Sequence, residues 1–196
     1  MNFRVARLLA AGAATLLCAG CAMLFNPGAS VPAAEPFDIL GRMLASGDGR
    51  SFSANFRWRH GAADNEIWLM SPVGQTLAYI STDAGGAKLT AADQREYHAM
   101  SVEGLTLQAL GWPLPIAQLQ HWIRGSTVPG SAAATVNRDA RGRLLLLEQE
   151  GWNIRYVYPE TGEGIMPRQL ELTQRGQRIR MVIDEWRDEL RLQGGG

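Results

Sequence analysis

Three histidines, His60, His98 and His121, are the chain's only side chains with an ordinary pKa near neutrality, and they are scattered along it. A zinc protease would place two of them one helical turn apart around a glutamate, and no such spacing occurs. Ser71 lacks the flanking glycines that make a nucleophile elbow. Asp184 and Glu185 precede Trp186 on a strand-like stretch and read as a solvated edge. His60 reads as a strand end and His121 as a helix surface. Two cysteines, Cys18 and Cys21, stand close together near the N-terminus with no Cys/His ligand pattern around them. These types and spacings argue against an enzyme, against a metal site and against any cofactor.

The cysteines point to different chemistry. Arg4 and Arg7 form a basic start, and Leu8–Leu17 is an apolar stretch too short to span a bilayer, which together read as a secretory signal. That signal runs into Ala19-Gly20-Cys21, which resembles a bacterial lipobox, although Cys18 stands where a lipobox usually has Leu. The resemblance implies that residues 1–20 are removed as a signal peptide and that Cys21 carries diacylglycerol as the new N-terminus. Cleavage by the ordinary signal peptidase, or a plain signal anchor, is the alternative. Ala22 follows Cys21 where an aspartate would favour retention in the inner membrane, so by analogy the destination is the outer membrane.

With Cys18 gone and Cys21 lipidated, the mature domain has no thiol and must hold together in an oxidising compartment by its core alone. Removing 20 of 196 residues leaves 176, enough for one domain with a substantial core. The removed segment takes two of the 19 basic residues and none of the 19 acidic ones, so the mature charge is 17 − 19 = −2. No block of like charge stands out, and nucleic acid is excluded as a partner on that ground. Pro27, Pro32 and Pro36 keep residues 21–36 out of a helix and mark them as a tether. The folded domain is expected over 37–190, followed by a flexible tail over 191–196 that contains Gly194–Gly196.

The elements that follow are mostly strands. Phe52, Ala54, Phe56 and Trp58 share one face of an alternating stretch, with Ser53, Asn55, Arg57 and Arg59 on the other. Phe37–Ala45 suggests a helical turn entering a first strand. The segment Glu66–Ile80 is two apolar strands joined at Ser71-Pro72-Val73-Gly74, and the unbroken run Ile67–Met70 suggests burial on both faces. Pro72 and Gly74 suit a turn, whereas β-branched Val73 is out of place at a solvated tip. Either Val73 folds back onto the core or it is held out as an apolar point. Short strands follow at Ala87–Thr90 and Glu96–Met100.

Two helices interrupt the run. Ser101 is a suitable N-cap, Glu103 lies in the first turn, and Val102, Leu105 and Ala109 form a stripe ended by Gly111. Pro115 opens a second helix with Ile116, Leu119, Trp122 and Ile123 on one face, Arg124 at its negative end and Gly125 as its stop. Further strands are expected at Thr135–Arg138, Arg143–Glu148, Trp152–Tyr158, Gln169–Thr173 and Ile179–Trp186. So many strands without alternating long helices indicate a mainly β fold, an antiparallel curved sheet or barrel.

Gly41-Arg42, Phe56-Arg57-Trp58, Ser71–Gly74, Tyr97, Leu110-Gly111, Leu114-Pro115, Leu119, Trp122–Gly125, Gly151-Trp152, Tyr156, Met166-Pro167 and Trp186 occur in that order behind the lipobox. Taken together, this ordered set resembles the LolB family of outer-membrane lipoprotein receptors. The resemblance implies a half-open antiparallel β-barrel of about eleven strands with short helices forming a lid in its mouth. It also implies an outer-membrane, lipid-anchored, monomeric protein on the periplasmic face of a Gram-negative bacterium. Such a protein accepts lipoprotein cargo from the periplasmic carrier LolA and inserts it among outer-membrane phospholipids. The family's exposed apolar turn residue, usually Leu, corresponds to Val73, which makes Ser71, Pro72, Val73 and Gly74 the expected membrane-insertion loop.

Acyl chains need such handling. Each buried methylene is worth roughly 0.8 kcal/mol, so one chain of about 15 methylenes holds its bilayer by on the order of 12 kcal/mol. A dry cavity lined by Phe56, Trp58, Trp68, Leu69, Leu77, Tyr79, Leu119 and Trp122 is therefore expected, although each of these residues could equally be plain core. A static lipid-binding or structural envelope lipoprotein, without transfer, is the alternative of a different class. It would have no use for an exposed Val73.

Overall fold

The computed structural model describes residues 35–110, 113–160 and 165–187. The expected signal peptide, Cys18, Cys21, most of the tether, Gly111 and the tail lie outside the described residues. The elements in order are β1 (Phe37–Gly47), β2 (Arg50–His60), β3 (Asn65–Met70), β4 (Thr76–Asp83), β5 (Gly86–Ala91) and β6 (Glu96–Ala99). Helices α1 (Val102–Leu110) and α2 (Ile116–Trp122) come next. They are followed by β7 (Ala133–Arg138), β8 (Leu144–Gln149), β9 (Trp152–Val157), β10 (Gln169–Gln174) and β11 (Gln177–Arg187).

All eleven strands form one antiparallel sheet in the order β6-β5-β4-β3-β2-β1-β11-β10-β9-β8-β7. Every connection is between sequence neighbours except the closing pair of β1 with β11. One expectation is corrected by this arrangement. Phe37–Ala45 contains no helical turn, because β1 pairs along its length with β2 and along most of it with β11, so its backbone groups are committed to ladders. Asp184 and Glu185 lie beyond the β10 ladder, which ends at Val182, so there β11 pairs with β1 alone. Both are exposed, as a solvated edge would be, and Asp184 receives two hydrogen bonds from the Arg42 guanidinium.

One face of the sheet is mostly apolar. Ile39 pairs with Trp58 and Met43 with Ala54, Phe56 pairs with Leu69, Ile67 with Ile80, and Ile80 with Leu89. On the other half Met181 pairs with Leu170, Leu172 with Ile154, and Ile154 with Leu147. Residues from both halves and from both helices join in one buried cluster, so the sheet curls around α1 and α2. The curl needs Gly41. A Cβ there would sit 2.3 Å from the Val182 carbonyl oxygen and 2.8 Å from the Phe56 ring, at the bulge where β1 meets β11.

Helix α1 is capped as its sequence predicts: the Gly104 N–H donates to Ser101 Oγ at 3.2 Å. Its buried stripe is Val102, Leu105 and Thr106, while Ala109 is exposed. Two side chains of α1 bind it to α2 and to the segment just before α2. Glu103 Oε1 accepts from the Ala117 N–H at 3.0 Å, and Thr106 Oγ1 accepts from the Leu114 N–H at 2.8 Å. In α2 the predicted face holds, with Ile116, Leu119, Trp122 and Ile123 all buried.

Antiparallel pairing also sets the two ends of the barrel. The turns between β1 and β2, β3 and β4, β5 and β6, β8 and β9, and β10 and β11 lie at one end. The start of β1 at Phe37, the β7–β8 turn and the β9–β10 connection lie at the other. Val73 and Phe37 are thus at opposite ends of the sheet.

Candidate functional site

The turn between β3 and β4 is built from its own backbone. The Gly74 N–H donates to the Ser71 carbonyl at 2.9 Å, and the Ser71 N–H donates to the Gln75 carbonyl at 2.8 Å. Ser71 Oγ accepts from the Gln75 N–H at 3.2 Å, and Asn55 on β2 steadies the Ser71 carbonyl from the side. Gly74 takes φ +82°, which leaves Val73 in a type I turn with its side chain pointing away. Val73 is 81% exposed, and Pro72 beside it is exposed too. Of the two readings that the sequence leaves open for Val73, the outward one is the arrangement found.

Inside the curl, β2 and β3 present Phe56, Trp58 and Leu69, and α2 presents Leu119 and Trp122. These five candidates are brought together in one buried cluster. Both indoles are fixed by side-chain amides. Trp58 Nε1 donates to Asn65 Oδ1 at 3.0 Å, and the same oxygen lies 2.8 Å from His60 Nδ1. Trp122 Nε1 donates to Gln149 Oε1 at 3.0 Å. Gln149 also accepts from the Val128 N–H and donates to the Val128 and Ser131 carbonyls, each near 3 Å. A single buried amide thus joins α2, β8 and the loop before β7. Neither Asn65 nor Gln149 was marked by the sequence pattern, since a lone amide in a strand carries no sign of its partners.

Trp68 and Tyr79 are not in this cluster, which corrects their assignment to the cavity. Strand alternation puts them opposite each other on the outer face, with ring centroids 5.3 Å apart. The apolar run Ile67–Met70 is covered on both faces, but by different means. The Arg57 guanidinium lies 5.3 Å from the Trp68 ring and is itself doubly bonded to buried Asp38. The Tyr79 hydroxyl donates to Glu66 Oε1 at 2.7 Å. Burial first, and the Glu66 carboxylate second, push the Tyr79 phenol up to about 12. Leu77 is the extra residue of the bulge opposite Leu69 and Met70, and is half-buried.

Two cavities flank α2, and none of the eight candidates lines either. One of about 190 Å³ lies between the helices and the β4–β5 hairpin, with Asn65, Val102 and Ile116 in its wall. The other, of about 550 Å³, lies at the Phe37 end and has four arginines in its lining. The space that the candidate residues surround is filled by the α2 side chains: Trp58 is 2% and Trp122 0% exposed. His121, expected on the helix surface, is buried as well. Burial lowers its pKa, and the nearby His60 charge lowers it further. Tyr156 on β9 is buried with no hydrogen-bond partner for its hydroxyl among the described residues, and burial raises its pKa. Among the described residues no three His, Cys, Asp or Glu side chains converge as a metal site would require. Nor is any described helix long and apolar enough to cross a membrane.

The arrangement is a packed apolar interior plugged by a short helix, with an exposed apolar turn at one end. Comparison with known proteins gives it context. The model of the family described as outer membrane lipoprotein LolB matches residues 35–186. An outer-membrane lipoprotein LolB of Chromobacterium violaceum is 39% identical over 175 residues, covering 87% of this chain and 93% of that protein. One from Nitrosomonas europaea is 35% identical over 158 residues, covering 79% and 74% respectively. A third, from Azoarcus sp., is 32% identical over 183 residues, covering 88% and 94%.

Proposed function

The chain belongs to the LolB family of outer-membrane lipoproteins, and from that premise we propose that it is a lipid-anchored receptor that localises other lipoproteins to the outer membrane. It takes cargo from the carrier LolA, shelters the acyl chains against Phe56, Trp58, Leu69, Leu119 and Trp122, and releases them into the bilayer. Cys21 carries the anchor after removal of residues 1–20, residues 21–36 tether the domain, and residues beyond 190 form a tail. No bond of the cargo is made or broken. Each hand-off is a change of apolar surroundings, so the whole sequence can run downhill without a chemical energy source.

The packed interior assigns a role to the helices. Acyl chains can reach the five buried candidates only if α2 withdraws Leu119 and Trp122 from among them. The lid is therefore a plug, and a chain replaces its apolar contacts one for one as it leaves. Because the plug already satisfies the interior, the free protein exposes little of that apolar surface to water.

The observation that carries the reading is Val73, an apolar side chain held out at a turn by four hydrogen bonds around Ser71 and Gly74. A lone valine at a tip contributes little to the core, and its direction suits contact with hydrocarbon at a bilayer's edge. Delivery of a fluorescent lipoprotein from LolA to liposomes, compared between the native chain and Val73→Glu, tests the proposal. Acceptance without delivery in the variant is the expected result.

A further inference from the structure

The cavity at the Phe37 end lies apart from the acyl-binding residues and from the Val73 turn. Its volume is about 550 Å³, and its walls come from the end of α2, the β7–β8 hairpin and the β9–β10 connection. Four guanidinium groups line it, those of Arg124, Arg138, Arg141 and Arg143. Two carboxylates meet them. Glu35 pairs with Arg124 at 2.6 Å, and Asp139 pairs with Arg143 at 2.7 Å. Among the described residues, four cations against two anions leave a surplus of two positive charges around one concavity. Arg138 donates to the Gly142 carbonyl, and neither Arg138 nor Arg141 has a carboxylate partner among the described residues.

Several features separate this place from an ordinary basic surface. The Arg143 guanidinium is held 4.4 Å over the Tyr158 ring, so its position is fixed before any ligand arrives. Arg124 is only 18% exposed, yet its partner Glu35 is 82% exposed. A mostly buried cation is thus neutralised by a carboxylate that water can readily draw away. The rest of the wall is mixed, with apolar Ile165, Met166 and Pro129 alongside polar Ser126, Thr127 and His121.

We propose that this cavity binds a phosphate group borne by an amphiphile or by a small solute, and that Glu35 holds Arg124 until the phosphate displaces it. Guanidinium forks match phosphate oxygens two at a time, and several forks around one concavity suit a tetrahedral anion better than a planar carboxylate. The apolar part of the lining, Ile165, Met166 and Pro129, suits the glycerol and upper-chain region of a phospholipid. The end of the barrel on which the cavity lies is where the chain enters β1 at Phe37, 16 residues after Cys21 (37 − 21). The assignment does not rest on the lipoprotein-transfer reading, because none of its residues belongs to the acyl site or to the insertion turn.

The test is titration of the full chain in a phosphate-free, non-ionic detergent, followed by arginine side-chain NMR and calorimetry. Two probes are used: glycerophosphoglycerol, an anionic-lipid head group without its chains, and inorganic phosphate. Saturable binding of either probe supports the site. The tighter of the two identifies a head-group diester or a free phosphate as the natural source. Arg138→Gln and Arg141→Gln change exposed residues, and each is expected to weaken binding by about tenfold. Glu35→Gln, which removes the competing carboxylate, should tighten it by up to about fivefold. Failure of both probes to bind, or affinities unchanged in the Arg138 and Arg141 variants, overturns the assignment. An affinity unchanged in Glu35→Gln overturns the displacement step.

Discussion

The Trp122 indole N–H meets Gln149 Oε1 at 3.0 Å inside the barrel, and this hydrogen bond ties α2 to β8. Gln149 is 1% exposed and spends its remaining capacity on Val128 and Ser131. The plug is consequently held by a bond whose loss leaves several groups without partners at once.

Gln149→Leu keeps the bulk of the side chain and removes every one of those hydrogen bonds. The expected cost is about 3 kcal/mol of folding stability, because an unpaired buried group costs roughly 1–3 kcal/mol. Amide exchange over Leu119–Ile123 should accelerate by more than the global loss requires, and a fatty-acyl fluorophore should enter faster. Equal protection of α2 in the variant and the native chain would show that the latch lies elsewhere.

Val73→Glu should leave the urea midpoint nearly unchanged, with a loss below about 0.5 kcal/mol, as at other exposed positions. Cargo should still be accepted from LolA. Delivery to liposomes should fail, since a carboxylate opposes entry into hydrocarbon. Val73→Leu adds a methylene at the tip and should deliver at least as well. A Val73→Glu protein that delivers normally rules out insertion through this turn.

Protonation of His121 supplies a pH dependence whose sign can be worked out. Its folded pKa lies below the ordinary imidazole value of about 6.5. Between the two values the unfolded chain binds more protons, so stability rises with pH across that interval. The contribution is complete above about 6.5 and is lost as the pH falls through the folded value. Urea midpoints measured from pH 7.5 down to 5 should decline, and His121→Gln should flatten the slope. Parallel slopes for the two proteins would assign the decline to other groups.

Tyr156→Phe removes a buried hydroxyl that has no partner among the described residues. Ordinary buried tyrosines lose stability on this change. Here the melting temperature is expected to stay level or to rise, because the desolvated oxygen returns nothing for its burial. A drop of several degrees would reveal a partner for the hydroxyl, such as a bound water.

Much of the framework could be read directly from residue order. Phe52, Ala54, Phe56 and Trp58 alternate cleanly, so β2 and its inner face follow from period alone. The α2 stripe was equally plain, since Leu119, Trp122 and Ile123 recur at helical spacing. Trp68 and Tyr79 were misplaced for a physical reason. An apolar run shows that both faces are covered but not by what, and here Arg57 and a tyrosine–carboxylate pair cover one of them. His121 was hidden by its short helix, which has partners on more than one side. Gln149 and the arginine cavity depend on residues far apart in sequence, which no local period records.

The sheet ends at β6 on one side and β7 on the other, and these two strands share no ladder. A closed barrel has a circumference fixed by its strand number and stagger. This one has a seam instead, and parting it breaks no backbone hydrogen bond between strands. Its girth is therefore set by side-chain packing and by side-chain hydrogen bonds such as that of Trp122 with Gln149, soft restraints beside the stiff one that the ladders impose. A vessel built this way can widen for a bulky guest and draw tight when empty without unfolding a strand.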